Sequence, residues 1–221
     1  MKWKRRMRNK NYIGIKKLLK SYGEKYGITG VNVVTSLHDA SINKAVLNNP
    51  CYVYDSKHDM EVIDMDAIAK DIYKVAKKAE GNPVNTADAF VIKQNNEWCF
   101  IEFKDTTIVA DKKSLKDNII KKAYANWYML LDILYDMKNL CEEVDFNYIN
   151  PVDFARKHVV YIVVCSCNKN PNVYTQIKNN SYSNQNYTPI FMQKLKDYLF
   201  KDAYIYTEDF FEREFVRKFL D

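Results

Sequence analysis

The chain has 221 residues, 47% of them hydrophobic, with only five Gly and five Pro, so it can build one domain with a substantial core and has little material for linkers or low-complexity segments. Its formal charge of +6 sits entirely in the first ten residues, where Lys2, Lys4, Arg5, Arg6, Arg8 and Lys10 meet no acid, and the rest of the chain is charge-balanced. The longest apolar run is far short of a membrane span, no secretory signal follows the basic start, and the five cysteines lack the paired spacing of a disulfide framework or a zinc site; a reducing cytoplasm fits best.

Residues 1–10 read as a basic arm ahead of a single domain over residues 11–221. Such an arm neutralises phosphates without reading sequence, and it serves equally well as a solubilising terminus. Tyr12 to Tyr22 sets Ile13, Ile15, Leu18 and Leu19 among lysines and ends near Gly23, Gly27 and Gly30, the pattern of a short helix followed by turns. Val31 to Val34 and Tyr52 to Tyr54 are weak strand signals. From Met65 to Ala79, Ile68, Ile72, Val75, Ala76 and Ala79 recur at helical spacing until Gly81-Asn82-Pro83 stops the run. Ala87 to Ile92 and Trp98 to Lys104 then read as the two strands of a hairpin, joined by the polar turn Gln94 to Glu97.

Thr106 to Ala110 either continues the sheet or forms a loop. A long helix opens at Ser114 and runs to about Lys138, with Leu115, Ile119, Ala123, Trp127, Leu130, Leu131 and Leu134 on one stripe. Val159 to Cys165, VVYIVVC, lacks alternation, as expected of a central strand covered on both faces. Asn168 to Thr188 is crowded with Asn, Ser, Tyr and Gln and reads as an exposed excursion. A helix over Pro189 to Phe200, a short strand over Ala203 to Tyr206 and a helix over Glu208 to Phe219, capped by Thr207, complete the chain. The expected core spans about 61–167 and the extension 168–221. The order is that of an α/β fold with a central mixed sheet flanked by helices.

Chemistry concentrates in the hairpin. Residues two apart in a strand share a face, so Glu102 and Lys104 point together while Ile101 and Phe103 enter the opposite layer. Asp88 heads the partner strand, and the spacing back across the turn brings it beside Glu102. Two carboxylates and an ammonium then converge. An acid-x-Lys triplet alone carries little information, since it also occurs at Asp55-Ser56-Lys57, Asp111-Lys112-Lys113 and Asp136-Met137-Lys138. Only Glu102-Phe103-Lys104 lies on an apolar strand, with an acid at the head of the strand before it and a long amphipathic helix after it. The competing reading is a salt bridge on a solvated sheet face, with Asp88 a turn residue.

The constellation resembles the PD-(D/E)XK nuclease superfamily over roughly Ile63 to Val164: Asp88 matches the Asp, Glu102-Phe103-Lys104 matches the (D/E)XK, and Ala87 stands where the family often has Pro. The resemblance implies a restriction-endonuclease-like α-β-β-β-α-β core and a Mg²⁺-dependent nuclease, with Mn²⁺ as a substitute, hydrolysing phosphodiester bonds. DNA is the favoured substrate, in restriction, repair or mobile-element functions. It further implies that Asp88, Glu102 and the main-chain carbonyl of Phe103 hold the metal and that Lys104 acts on the attacking water or on the transition state. The helix before the hairpin is expected to lend an acid, with Glu61, Asp66 and Glu80 available and Glu80 taken as the candidate. Lys122 and Tyr124 on the long helix are accessory candidates. The alternative is a non-catalytic nucleic-acid-binding or protein-interaction module on the same fold. No reader motif specifies a sequence preference, and a homodimer is compatible with the sequence.

Overall fold

A strand covered on both faces has no use for alternation, and Val159–Cys165 is buried along its whole length. In the computed structural model, which describes residues 9–43, 51–55, 60–108, 113–140 and 144–220, this strand belongs to a six-stranded mixed sheet. The strands are β1 (Val34–Ser36), β2 (Glu61–Asp64), β3 (Ala89–Ile92), β4 (Trp98–Lys104), β5 (Val159–Cys165) and β6 (Asp202–Thr207), lying side by side in chain order. β1 through β4 pair antiparallel, whereas β4, β5 and β6 run parallel. Parallel neighbours need crossovers, and helices supply them. α1 (Lys10–Lys25) precedes the sheet, and α2 (residues 65–76) joins β2 to β3. α3 (Lys113–Asp136) and α4 (Pro151–His158) lie between β4 and β5, α5 (Pro171–Ser181) lies between β5 and β6, and α6 (residues 208–220) closes the chain. Among the described residues no helix is long and apolar enough to cross a membrane.

Several expectations need correction. Asn9 caps α1, its side-chain oxygen accepting the amides of Asn11 (2.8 Å) and Tyr12 (3.4 Å) while its amide donates to the Lys93 carbonyl. Asn9 and Lys10 are therefore part of the domain, and the arm's Lys2, Lys4, Arg5, Arg6 and Arg8 lie outside the described residues. The strand that completes the antiparallel set is β2, ahead of the hairpin. Residues 105–108 form a loop, held by the buried Asn170: its amide donates to the carbonyls of Thr106 (3.0 Å) and Ser166 (2.9 Å), and its oxygen accepts the Ile108 amide (2.6 Å). The polar stretch 168–188 contains the eleven-residue helix α5, started by Pro171 in its first turn. Thr207 stands at the head of α6, but its hydroxyl makes no capping bond and is buried without a hydrogen-bond partner among the described residues.

At the hairpin turn, Asn96 adopts φ 59°, a left-handed conformation that Asn tolerates better than most residues. The following residue, Glu97, carries two lysines, Lys93 and Lys201, each at 2.6 Å. Burial alone would raise the Glu97 pKa, but the hydrogen bonds from Lys201 and Lys93 outweigh it and hold the carboxyl below its usual value. A carboxyl depressed by folding contributes stability above its unfolded pKa and loses it as pH falls through the folded one. The stability gap between wild type and Glu97→Gln should accordingly shrink on acidification below the ordinary glutamate value of 4.5. Urea unfolding at stepped pH measures it; a gap independent of pH would show that the pairing contributes nothing.

Candidate active site

The antiparallel register sets Ala89 opposite Ile101, and one residue further Asp88 falls opposite Glu102. β3 begins just after Asp88, so among the described residues β4 has no strand partner on that edge beyond this point. Asp88 fills the gap itself. Its amide donates to the Ile101 carbonyl (3.1 Å), and its Oδ2 accepts the Phe103 amide at 2.6 Å. The Phe103 carbonyl leaves β4 along the same edge as that amide.

Glu102 leaves β4 toward α3. The Tyr161 hydroxyl on β5 donates to the Ile119 carbonyl of α3 (3.2 Å), which fixes the helix over the sheet, and Lys122 follows within a turn. Its Nζ lies 2.8 Å from Glu102 Oε1, 2.9 Å from Oε2 and 3.8 Å from Asp88 Oδ1. Lys104 Nζ approaches Glu102 Oε1 to 2.5 Å. The two carboxylates thus already share one cation, the Lys122 ammonium, with Lys104 on the Glu102 side. The Glu102 side chain is 0% exposed, against 12% for Lys122, 16% for Lys104 and 20% for Asp88. A salt bridge on a solvated face is not what this is.

The electrostatics follow from that burial. The Asp88 carboxyl is held well above the usual range, first by burial and then by the Glu102 charge; the Lys122 ammonium and the Phe103 amide pull it back only in part. Burial works against the Lys122 charge, but Glu102 and Asp88 more than offset it, and its pKa lies above the ordinary lysine value. Asp66 adds negative charge to both groups.

Asp66 is the acid that spacing alone did not single out. Asp64 pairs with Ala89 at the end of β2 and caps α2 through the Ala67 amide (2.9 Å), so the first turn of α2 starts beside Asp88. Thr86 holds Asp66 by a 3.0 Å hydrogen bond. Glu80, the expected acid, lies exposed beyond the end of α2, and Glu61 pairs with Lys16 at 2.5 Å. Tyr124 is exposed, two residues and about 200° around α3 from Lys122, so it faces away. The basic residues of the arm up to Arg8 cannot be placed against the site, since they lie outside the described residues.

Among the described residues no group of three or more His, Cys, Asp or Glu stands close enough to hold a metal. Two carboxylates and a main-chain carbonyl nonetheless suit Mg²⁺, which is typically held by one or two carboxylates and completes its shell with water and substrate phosphate. Glu102 Oε1 fits that role: it is fully buried and draws both ammoniums, Lys104 at 2.5 Å and Lys122 at 2.8 Å, so it is the oxygen on which positive charge already converges. Comparison with protein-family models, curated proteins and solved structures finds no match for this chain.

Proposed function

We propose that this chain is a Mg²⁺-dependent nuclease with the restriction-endonuclease-like core of the PD-(D/E)XK superfamily, hydrolysing phosphodiester bonds in DNA. The observation that carries the reading is the convergence of Asp88 and Glu102 on one cation position, with Lys104 beside them at the end of β4. The elements run α1, β1, β2, α2, β3, β4, α3, α4, β5; with the three-residue edge strand β1, the intervening α2 and the short α4 taken as additions, they fit the order α-β-β-β-α-β, which supports the assignment. Asp88, Glu102 and the Phe103 carbonyl are the ligands available to the metal, and Asp66 is placed to add charge behind them. Bound Mg²⁺ supplies Lewis acidity at the phosphate and activates water. Lys104, within reach of Glu102 and partly open to solvent, orients the attacking water or neutralises charge developing on the phosphate. The test is cleavage of single- and double-stranded DNA by wild type in Mg²⁺ or Mn²⁺ and its loss in EDTA.

One observation favours a second reading. The two lysines already balance the charges of Asp88 and Glu102, so the cluster can stand as a structural ion-pair network without a metal, as in a non-catalytic nucleic-acid-binding module. Absence of cleavage on any DNA or RNA, together with retained binding, would select it.

The basic arm contributes to either reading through phosphate contacts. Deleting residues 1–8, and sparing the Asn9 cap, removes Lys2, Lys4, Arg5, Arg6 and Arg8. If each neutralises one phosphate, the slope of log affinity against log salt on duplex DNA should become shallower by up to about 4.5. An unchanged slope would show that the arm touches no phosphate.

A further inference from the structure

We propose that Lys122 is a built-in counter-cation that occupies the position shared by Asp88 and Glu102 and is displaced from it when a divalent metal binds. The role presupposes the metal-site reading above. The two lysines at the site are not equivalent. Among the described residues Lys104 pairs with Glu102 alone, whereas the Lys122 ammonium reaches both Glu102 oxygens and the facing oxygen of Asp88, the place where a cation held by both carboxylates must sit. A divalent ion there would stand within a few ångströms of a second positive charge, and in a buried site such repulsion is poorly screened. One of the two cations has to leave.

Lys122 is built to leave without disturbing the helix. The α3 backbone is held to the sheet just before it by the Tyr161 hydroxyl on the Ile119 carbonyl, and within the helix the Asn126 side-chain amide donates to the Lys122 carbonyl at 2.7 Å. The side chain beyond is a flexible four-carbon stem that already borders solvent, 12% exposed, so it can swing the ammonium outward. Glu102 keeps Lys104 as a partner throughout. Lys122 therefore weakens metal binding in the free protein, and once displaced its ammonium remains tethered within reach of an incoming phosphate.

Two measurements test this. Mn²⁺ binding, followed by electron paramagnetic resonance, should be weak in wild type, absent in Asp88→Asn, and tighter by at least about tenfold in Lys122→Met, where the competing charge is gone and the apolar stem is kept. In wild type, reductive methylation read by mass spectrometry should label Lys122 several-fold more at saturating Mg²⁺ than in EDTA, while the exposed Lys121 is labelled equally in both. Asp88-dependent Mn²⁺ binding that Lys122→Met leaves equal or weakens, with Lys122 labelling unmoved by metal, would overturn the displacement and leave the metal site standing. Absence of Asp88-dependent binding in every variant would overturn both. If Lys122→Met does not fold, the labelling of wild type decides alone.

Discussion

Lys104→Ala should lower Mg²⁺-dependent DNA cleavage by at least about 10²-fold, the usual contribution of a positioned proton-transfer or charge-stabilising group. Mn²⁺ binding should survive, because Asp88, Glu102 and the Phe103 carbonyl all remain. The fold should survive too, since Glu102 keeps its two contacts with Lys122 at 2.8 and 2.9 Å. Asp88→Ala should lose both cleavage and metal binding. The contrast separates chemistry from architecture: a lysine serving only to neutralise Glu102 duplicates Lys122, and its removal would leave the rate unchanged. Cleavage that persists in Lys104→Ala would transfer the catalytic role to another cation, and Lys122 is the one in place.

Glu102→Ala should cost about 3–5 kcal/mol of stability, the range for breaking a buried ion pair from one side. Among the described residues Glu102 is the sole carboxylate paired with Lys104 and the closer of the two paired with Lys122, and its side chain is fully buried. Its removal leaves the largely buried Lys122 ammonium with Asp88 at 3.8 Å, takes from Lys104 its contact with Glu102, and opens a cavity between β4 and α3. Glu102→Gln keeps the volume and loses the charge, so it isolates the electrostatic share. Urea unfolding of the three proteins gives the numbers. A loss below about 1 kcal/mol for Glu102→Ala would place the pair in the class of exposed salt bridges.

The hairpin was legible because its signals are local. Apolar strands either side of a polar turn fix the register, and the register sets Asp88 opposite Glu102. The run at 159–165 was legible for the same reason, as absence of alternation is itself a burial signal. Lys122 was visible as a polar residue on the right helix, but its place over both carboxylates depends on how α3 crosses the sheet, which the Tyr161 and Ile119 contact decides over 42 residues of sequence. Asp66 was hidden by β2. A four-residue strand, Glu-Val-Ile-Asp, is too short to register as periodicity, and without it the start of α2 could not be set against Asp88. α5 was missed because its Asn, Gln and Ser residues resemble loop composition, and only Ile177 is buried to mark a face. Thr207 occupied the expected cap position, yet occupancy of a cap says nothing about where the hydroxyl turns.

The central claim is that Asp88 and Glu102 form a divalent-metal site, and diffraction from crystals soaked in Mn²⁺ tests it most directly. An anomalous peak is expected about 2.0–2.3 Å from one oxygen each of Asp88, Glu102 and the Phe103 carbonyl, with the Lys122 ammonium withdrawn from the pair. A map at saturating Mn²⁺ with no peak there, and with Lys122 still bridging both carboxylates, would contradict it.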